Sequence, residues 1–327
     1  MTSGARVAPA PVGTRSGWRK TRHVIRELAA DHEVTHAHGV RAAAAAAAAG
    51  VRPLVATWHN APLGGAPRRA LHRGLEVFSA RRSALVLGAS ADLVERARTA
   101  GAPRVGLCEV ATPLSAVLVP VDADTSLHNP PRVLAIGRLH AQKRFDLLID
   151  VAASWPPGAG RPEFLVAGDG PLAQHLMREA DRRGAPVRFL GERRDVASLL
   201  ADADVVVMPS DWEARPLVAQ EALAAGVPLV ATDIGGVRDL VGDAAVLVPA
   251  GDTTALAAGL MGVLDDERLR RQLRTAGPVR AATWPTVDEM VDRIVADYLD
   301  LNSMVTSRGR PAGRDTPSDE EDHGADA

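Results

Sequence analysis

From Pro131 onward the chain alternates short, wholly apolar runs with longer amphipathic ones, and few folds satisfy that pattern. The apolar runs are Val133–Ile136, Phe164–Ala167, Val187–Leu190, Val205–Met208, Leu229–Ala231 and Ala245–Val248. Between them lie helix-like segments at Phe145–Ala153, Leu172–Arg183, Val196–Ala201, Leu217–Ala225 and Val237–Val241. A strand that is apolar on every residue, rather than every second one, must be covered on both faces. The pattern therefore predicts a doubly wound α/β domain with a parallel sheet. In such sheets ligands bind at the carboxyl ends of the strands, and the Gly-rich, Pro-rich and charged positions of this chain fall there.

The 327 residues suggest two domains. The first part is α/β in flavour: Thr35–His38, Val55–Thr57 and Leu85–Gly88 read as strands, and the alanine run 42–49 as a closely packed helix. That run is far below the roughly 20 residues that span a bilayer. Residues 122–131 form a polar, Pro-containing linker, so the expected units are 1–121 and 131–282. Thr253–Leu264, Glu267–Ala276 and Thr286–Leu301 read as helices. The last carries Val287, Met290, Val291, Ile294, Val295, Tyr298 and Leu299 on one expected face. Residues 303–327 are acidic and Gly/Pro-containing, the composition of a disordered tail. A net charge of −2 points to no nucleic-acid partner, and the single cysteine, Cys108, forms no internal disulfide or cysteine zinc site. The N-terminus has no apolar signal-peptide core, so a cytoplasmic location is expected.

Candidate chemistry clusters at the strand ends. Gly137-Arg138-Leu139 follows the first strand of the second unit, with Lys143 shortly after. Only two lysines occur among the 38 basic residues, which singles out Lys143 in an arginine-dominated chain. Arg138 and Lys143 would together neutralise a diphosphate, although two solvated surface cations fit equally well. Gly168-Asp169-Gly170-Pro171 ends the next strand, but it lacks the third glycine of a dinucleotide fingerprint. The strongest constellation runs from Pro209 to Gly226. Pro216 opens a helix and Gly226 closes it, Glu213 lies just before it, and Glu221 lies within it. A helix N-terminus presents free N–H groups to phosphate, and two flanking carboxylates suit sugar hydroxyls. The bland reading is a capping acid and a solvated helix glutamate. Gly235-Gly236 forms a further strand-to-helix turn at the same sheet end.

In order and spacing, Gly137-Arg138-Leu139 with Lys143, Gly168-Asp169-Gly170-Pro171, Glu213 to Glu221 and Gly235-Gly236 resemble the C-terminal domain of family 4 glycosyltransferases. His36-Ala37-His38-Gly39, Thr57-Trp58-His59-Asn60 and Ser90-Ala91-Asp92-Leu93 resemble elements of that family's N-terminal domain. The resemblance implies a GT-B fold of two Rossmann-like domains facing across a cleft. A closing helix at 284–301 would cross back to the first. It also implies retaining, metal-independent transfer, with a nucleoside-diphosphate sugar as co-substrate and no other cofactor. Arg138 and Lys143 would hold the diphosphate, Glu213 the donor sugar and Glu221 the ribose. The backbone of Pro216, Leu217 and Val218 would meet the phosphates, Gly168 would line the donor site, and the base would sit near Leu190. His59 would stand near the donor sugar.

The chain departs from the family pattern in places. Few residues precede His36, so the N-terminal domain is expected to be abbreviated. Arg144 stands where glycine is common, and Ala214-Arg215 where Gly-Phe is common; Arg215 would contact phosphate or acceptor. The abbreviated half leaves three functions open. They are hexose transfer to an unknown lipid, saccharide or small-molecule acceptor, nucleotide-sugar binding without transfer, and nucleotide-sugar epimerisation. An NAD dehydrogenase lacks its fingerprint. The basic positions Arg15, Arg19, Lys20, Arg22 and Arg26 make peripheral contact with the inner membrane face a further expectation, beside a solvated helix face.

Overall fold

The computed structural model of the protein describes residues 15–62, 64–112, 126–158 and 160–308. Two parallel sheets organise it. The first holds β1 (Thr35–His38), β2 (Leu54–Trp58), β3 (Leu85–Gly88) and β4 (Val105–Leu107), in that spatial order. Its helices are α1 (Arg15–Ala30), α2 (Val40–Ala49), α3 (Ala66–Ala80) and α4 (Ala91–Thr99). β4 escapes sequence reading because it is a three-residue edge strand containing Gly106.

The second sheet contains β5 (Arg132–Ile136), β6 (Glu163–Ala167), β7 (Val187–Gly191), β8 (Val205–Met208), β9 (Leu229–Thr232) and β10 (Val246–Val248). Their order is β10-β9-β8-β5-β6-β7, and all are parallel. Its helices are α5 (Phe145–Ser154), α6 (Ala173–Arg183), α7 (Val196–Ala201), α8 (Leu217–Ala224), α9 (Val237–Val241), α10 (Thr253–Asp265) and α11 (Glu267–Ala281). Along β5 successive residues enter opposite cores. Val133 and Ala135 join Phe145, Leu148 and Phe164 on one face, while Leu134 joins Val206, Leu223 and Leu229 on the other. That double burial is why the strands are apolar throughout. The strand order reverses between β5 and β8, so the helices that follow them, α5 and α8, lie on opposite faces and leave a crevice at the strand ends.

The last helix, α12 (Val287–Arg308), returns to the first sheet. Leu301, with Ile294 and Tyr298, packs on Val55, Leu85 and Leu87 and so covers the face that α2 and α3 leave open. The single apolar face expected for this helix is split. Val287, Val291, Val295 and Leu299 are exposed, because the docking face is set by Ile294, Tyr298 and Leu301. The helix also continues through Arg308, into the region expected as tail, and residues 309–327 lie outside the described residues. α11 runs past its expected end at Ala276, through Pro278, to Ala281. The expected linker lies outside the described residues over 122–125, and 126–131 form no helix or strand. No helix among the described residues is long and apolar enough to cross a membrane.

Tyr298 ties α12 to the first sheet through its hydroxyl, which bonds His36 Nδ1, while His36 Nε2 meets Thr57 Oγ1 at 2.7 Å. Burial, then the nearby His38 and His59, lowers the His36 pKa from 6.5 to about 4. Between those values the unfolded chain binds more protons than the folded one. Stability is therefore full above about pH 6.5 and falls as pH drops towards 4. The loss is on the order of 2 kcal/mol once solvent screening of this part-exposed ring is allowed for. Urea titrations across that range are expected to show a shallower pH slope for His36→Gln than for wild type; equal slopes would contradict the assignment. At the other sheet, Gly168 has φ 143°, and a Cβ there would collide with the Gly137 carbonyl. Gly168→Ala is expected to cost about 2–4 kcal/mol in the same assay, and a cost near zero would show that the two loops do not pack as described.

Candidate active site

The crevice at the reversal point is built from two loops. The loop after β5 carries Gly137, Arg138 and a 3-10 turn, Ala141–Lys143. The loop after β8 carries Pro209 to Pro216 and leads into α8. They are stitched together by Asp211 N–H donating to Gln142 O at 2.8 Å and Gln142 Nε2 donating to Trp212 O at 2.7 Å. Between them Lys143 Nζ donates to Glu213 Oε1 at 2.6 Å. Glu213 is only 8% exposed, so its charge relies on this partner.

Arg144 explains one departure from the family pattern. It adopts a left-handed conformation, φ 50°, as the C-cap of the 3-10 turn, a position where glycine is free of Cβ strain. Here the strain is offset by ion pairs from Arg144 to Asp146 at 3.0 Å and to Asp211 at 2.9 Å. Hydrogen bonds that Arg144 donates to Asp146 and Asp211 raise its pKa further above its ordinary range. Asp211 thereby ties the second loop to the first.

Gly235 and Gly236 press against the Glu213 segment from the β9 side. A Cβ at Gly235 would strike the Glu213 carbonyl, and one at Gly236 the Ala214 carbonyl, while Gly236 N–H donates to Glu213 O at 3.0 Å. The glycine turn thus fixes the backbone that bears Glu213. Gly170 has the same function one strand over, where a Cβ would lie 2.6 Å from Leu139 O.

The other sequence-derived positions divide. Arg138 is exposed and makes no side-chain hydrogen bond or ion pair among the described residues, which leaves its guanidinium free at the crevice edge. Glu221 sits half-buried on α8, also without a side-chain partner among the described residues, and burial raises its pKa. Pro216 caps α8, and no side-chain hydrogen bond caps its leading amides among the described residues. Leu217 is half exposed beside the crevice, whereas Val218 is buried in the core. Leu190 packs along the edge of that core, at the end of β7. Gly168 meets the Gly137 backbone, so its closest neighbour is another loop.

Arg215 is a correction. Expected to reach phosphate or acceptor, it turns to the first domain, where Nη1 pairs with Glu109 at 2.9 Å and Nε donates to Val110 O at 3.0 Å. Trp212 Nε1 likewise donates to Asp92 Oδ2 at 3.0 Å. These interdomain bonds place the Glu213 loop against the ends of β2 and β3. His59, Asn60 and Ala89 from the first domain and Trp212, Glu213 and Leu217 from the second line one cleft of about 500 Å³, counting its open mouth. His59 Nε2 lies 3.2 Å from His38 Nδ1, and the rings of His36, His38 and His59 form a stack. Burial, then the His38 charge, lowers the His59 pKa, so the ring is neutral near pH 7. None of these interdomain partners is visible in local sequence. Among the described residues no group of three or more His, Cys, Asp or Glu side chains is arranged to hold a metal ion.

Comparison with known proteins agrees with this architecture. Residues 122–280 match the family model described as glycosyl transferases group 1. The glycogen synthase of Mycobacterium tuberculosis is 30% identical over 260 residues, covering 72% of this chain and 61% of that protein. The alpha-D-kanosaminyltransferase of Streptomyces kanamyceticus is 32% identical over 182 residues, covering 54% of this chain and 47% of that protein. The chain thus spans about half to three-fifths of the length of these relatives. Among solved structures, sucrose-phosphate synthase from Thermosynechococcus elongatus superposes with a TM-score of 0.76 at 21% identity, over 88% of this chain and 79% of that one. Anabaena HepE in complex with UDP and glucose superposes with a TM-score of 0.71 at 22% identity, over 91% and 83%. The reversal-point crevice, the facing parallel sheets and the matched segment agree: residues 122–280 carry a domain of the glycosyl transferases group 1 type, within a chain that has the GT-B fold.

Proposed function

We propose that the protein transfers a hexose-type sugar from a nucleoside-diphosphate sugar to an acceptor, with retention of anomeric configuration and without a metal. The Lys143–Glu213 pair carries the reading. It brings a cation and a buried carboxylate together at the sheet's reversal point, and Glu213 lines a cleft whose other wall is His59. The donor diphosphate would lie over Arg138, Lys143 and the α8 amides, whose positive charge offsets that of the departing nucleoside diphosphate. Glu221, half-buried and without a protein donor among the described residues, would accept the ribose hydroxyls. Glu213 would accept from the donor sugar, while Lys143 is shared between it and the diphosphate.

In the reaction, the bond from the anomeric carbon to the diphosphate oxygen breaks and a bond to the acceptor oxygen forms on the same face. The acceptor proton passes to the departing phosphate oxygen. Neutral His59 would hydrogen-bond the donor sugar from across the cleft. The reading places the protein in the cytoplasm, with peripheral contact at the inner membrane face where the acceptor is a lipid.

Release of nucleoside diphosphate from a donor panel, with a range of acceptors present, tests this. Lys143→Ala and Arg138→Ala are each expected to lower kcat by about 10²–10³. Glu221→Ala is expected to weaken donor binding about tenfold, as for loss of a charged hydrogen-bond acceptor. Donor binding with no turnover would favour a binding protein, and donor epimerised without acceptor would favour an epimerase. Donor affinity indifferent to both Lys143 and Glu221 would mean that the site lies elsewhere.

A further inference from the structure

We propose that the first domain carries a binding site for a phosphate group, and that this group belongs to the acceptor. The phosphate site stands on its own residues; calling its ligand the acceptor rests on the transfer reading above. A groove of about 910 Å³, counting its open mouth, runs between α3 and the loop after β2. Arg41 from α2 and Arg68 and His72 from α3 line it. It continues into a second hollow, again lined by Arg41 and His72, with His38 and Asn60 added. No acidic side chain lines either part among the described residues.

The two arginines differ from their neighbours. Arg96 and Arg73 both pair with Glu76, a fully buried carboxylate, at 2.7 and 3.7 Å. Arg41 and Arg68 form no ion pair or side-chain hydrogen bond among the described residues. Two unpaired guanidinium groups in a concave surface match a phosphate monoester, which carries about −1.5 to −2 charge near neutral pH. Each guanidinium also presents a planar fork that fits phosphate oxygens. His72 is the third donor, with Nδ1 3.3 Å from Glu76 Oε1.

Continuity with the interdomain cleft is the second observation. Asn60 lines both the groove and that cleft, and His38, which lines the groove, lies 3.2 Å from His59, which lines the cleft. A molecule anchored by its phosphate at Arg41 and Arg68 would extend past Asn60 towards Glu213. Leu71, 69% exposed, stands at the outer rim and offers an apolar contact there. The phosphate would come from a soluble phosphorylated saccharide or from a lipid headgroup.

Calorimetric titration with inorganic phosphate tests the site in an Arg138→Ala/Lys143→Ala background, where the proposed donor cations are gone. Saturable binding is expected to persist there, and adding Arg41→Gln and Arg68→Gln is expected to weaken it about tenfold or more. Arg41→Lys/Arg68→Lys, which keeps the charges, is expected to recover part of the affinity. Absence of saturable binding in the background protein, or binding unchanged by the two glutamines, would overturn the proposal. Should the combined variant melt early, Arg68→Gln alone, at an exposed position, supplies the same comparison. Sedimentation with phosphatidic acid vesicles against phosphatidylcholine vesicles separates the sources. Binding to the former that Arg41→Gln/Arg68→Gln abolishes identifies a lipid phosphate, and phosphate binding without vesicle binding identifies a soluble one. Donor affinity of the otherwise wild-type protein is measured separately. Its absence beside intact phosphate binding would sink the transfer reading and leave the groove site standing.

Discussion

The contact between Lys143 and Glu213 depends on nearly everything else in the second domain. It joins the loops after β5 and β8, the two strands between which the sheet order reverses. A parallel sheet with this order leaves a crevice at that point whatever its sequence. This chain lines the crevice with an ammonium group held on a buried carboxylate. A buried carboxylate without a cation would cost several kcal/mol, so the two loops are coupled through charge as well as backbone. Gly236 fixes the Glu213 backbone from one side, and Arg144, through Asp211, fixes the Lys143 turn from the other.

The same loop faces both domains. Trp212 and Arg215 flank Glu213 and bond to Asp92 and Glu109 of the first domain. α12 adds a second tie, packing Leu301 and Tyr298 on the first sheet after the chain has completed the second. The histidine stack at the ends of β1 and β2 is thereby connected to α12 through Tyr298 and opens onto the cleft through His59. Relative movement of the domains would therefore break specific polar bonds, not only apolar contact.

Local sequence revealed the features that local physics controls. Strands buried on both faces declare themselves as continuous apolar runs, and all six of the second sheet were legible to within a residue or so. Pro216 and Gly226 framed α8, and strand-end position with the rarity of lysine drew attention to Lys143. Features that depend on a distant partner were not legible. Arg215 looks like a ligand until Glu109 is found beside it. The α12 face was misread because periodicity gives an apolar arc and the docking partner decides which part of it is covered. Arg144 looked like a lost glycine, and only its two aspartate partners explain how a side chain is tolerated at φ 50°.

The central claim is that the reversal-point crevice receives a nucleoside diphosphate sugar, with Lys143 and Glu213 sharing its two ends. A crystal structure of the protein soaked with such a donor tests this most directly. The account predicts the diphosphate within hydrogen-bond distance of Lys143, Arg138 and the α8 amides, the ribose at Glu221 and the sugar between Glu213 and His59. A donor bound at another strand end, or one bound in the crevice with its diphosphate remote from Lys143, would contradict it.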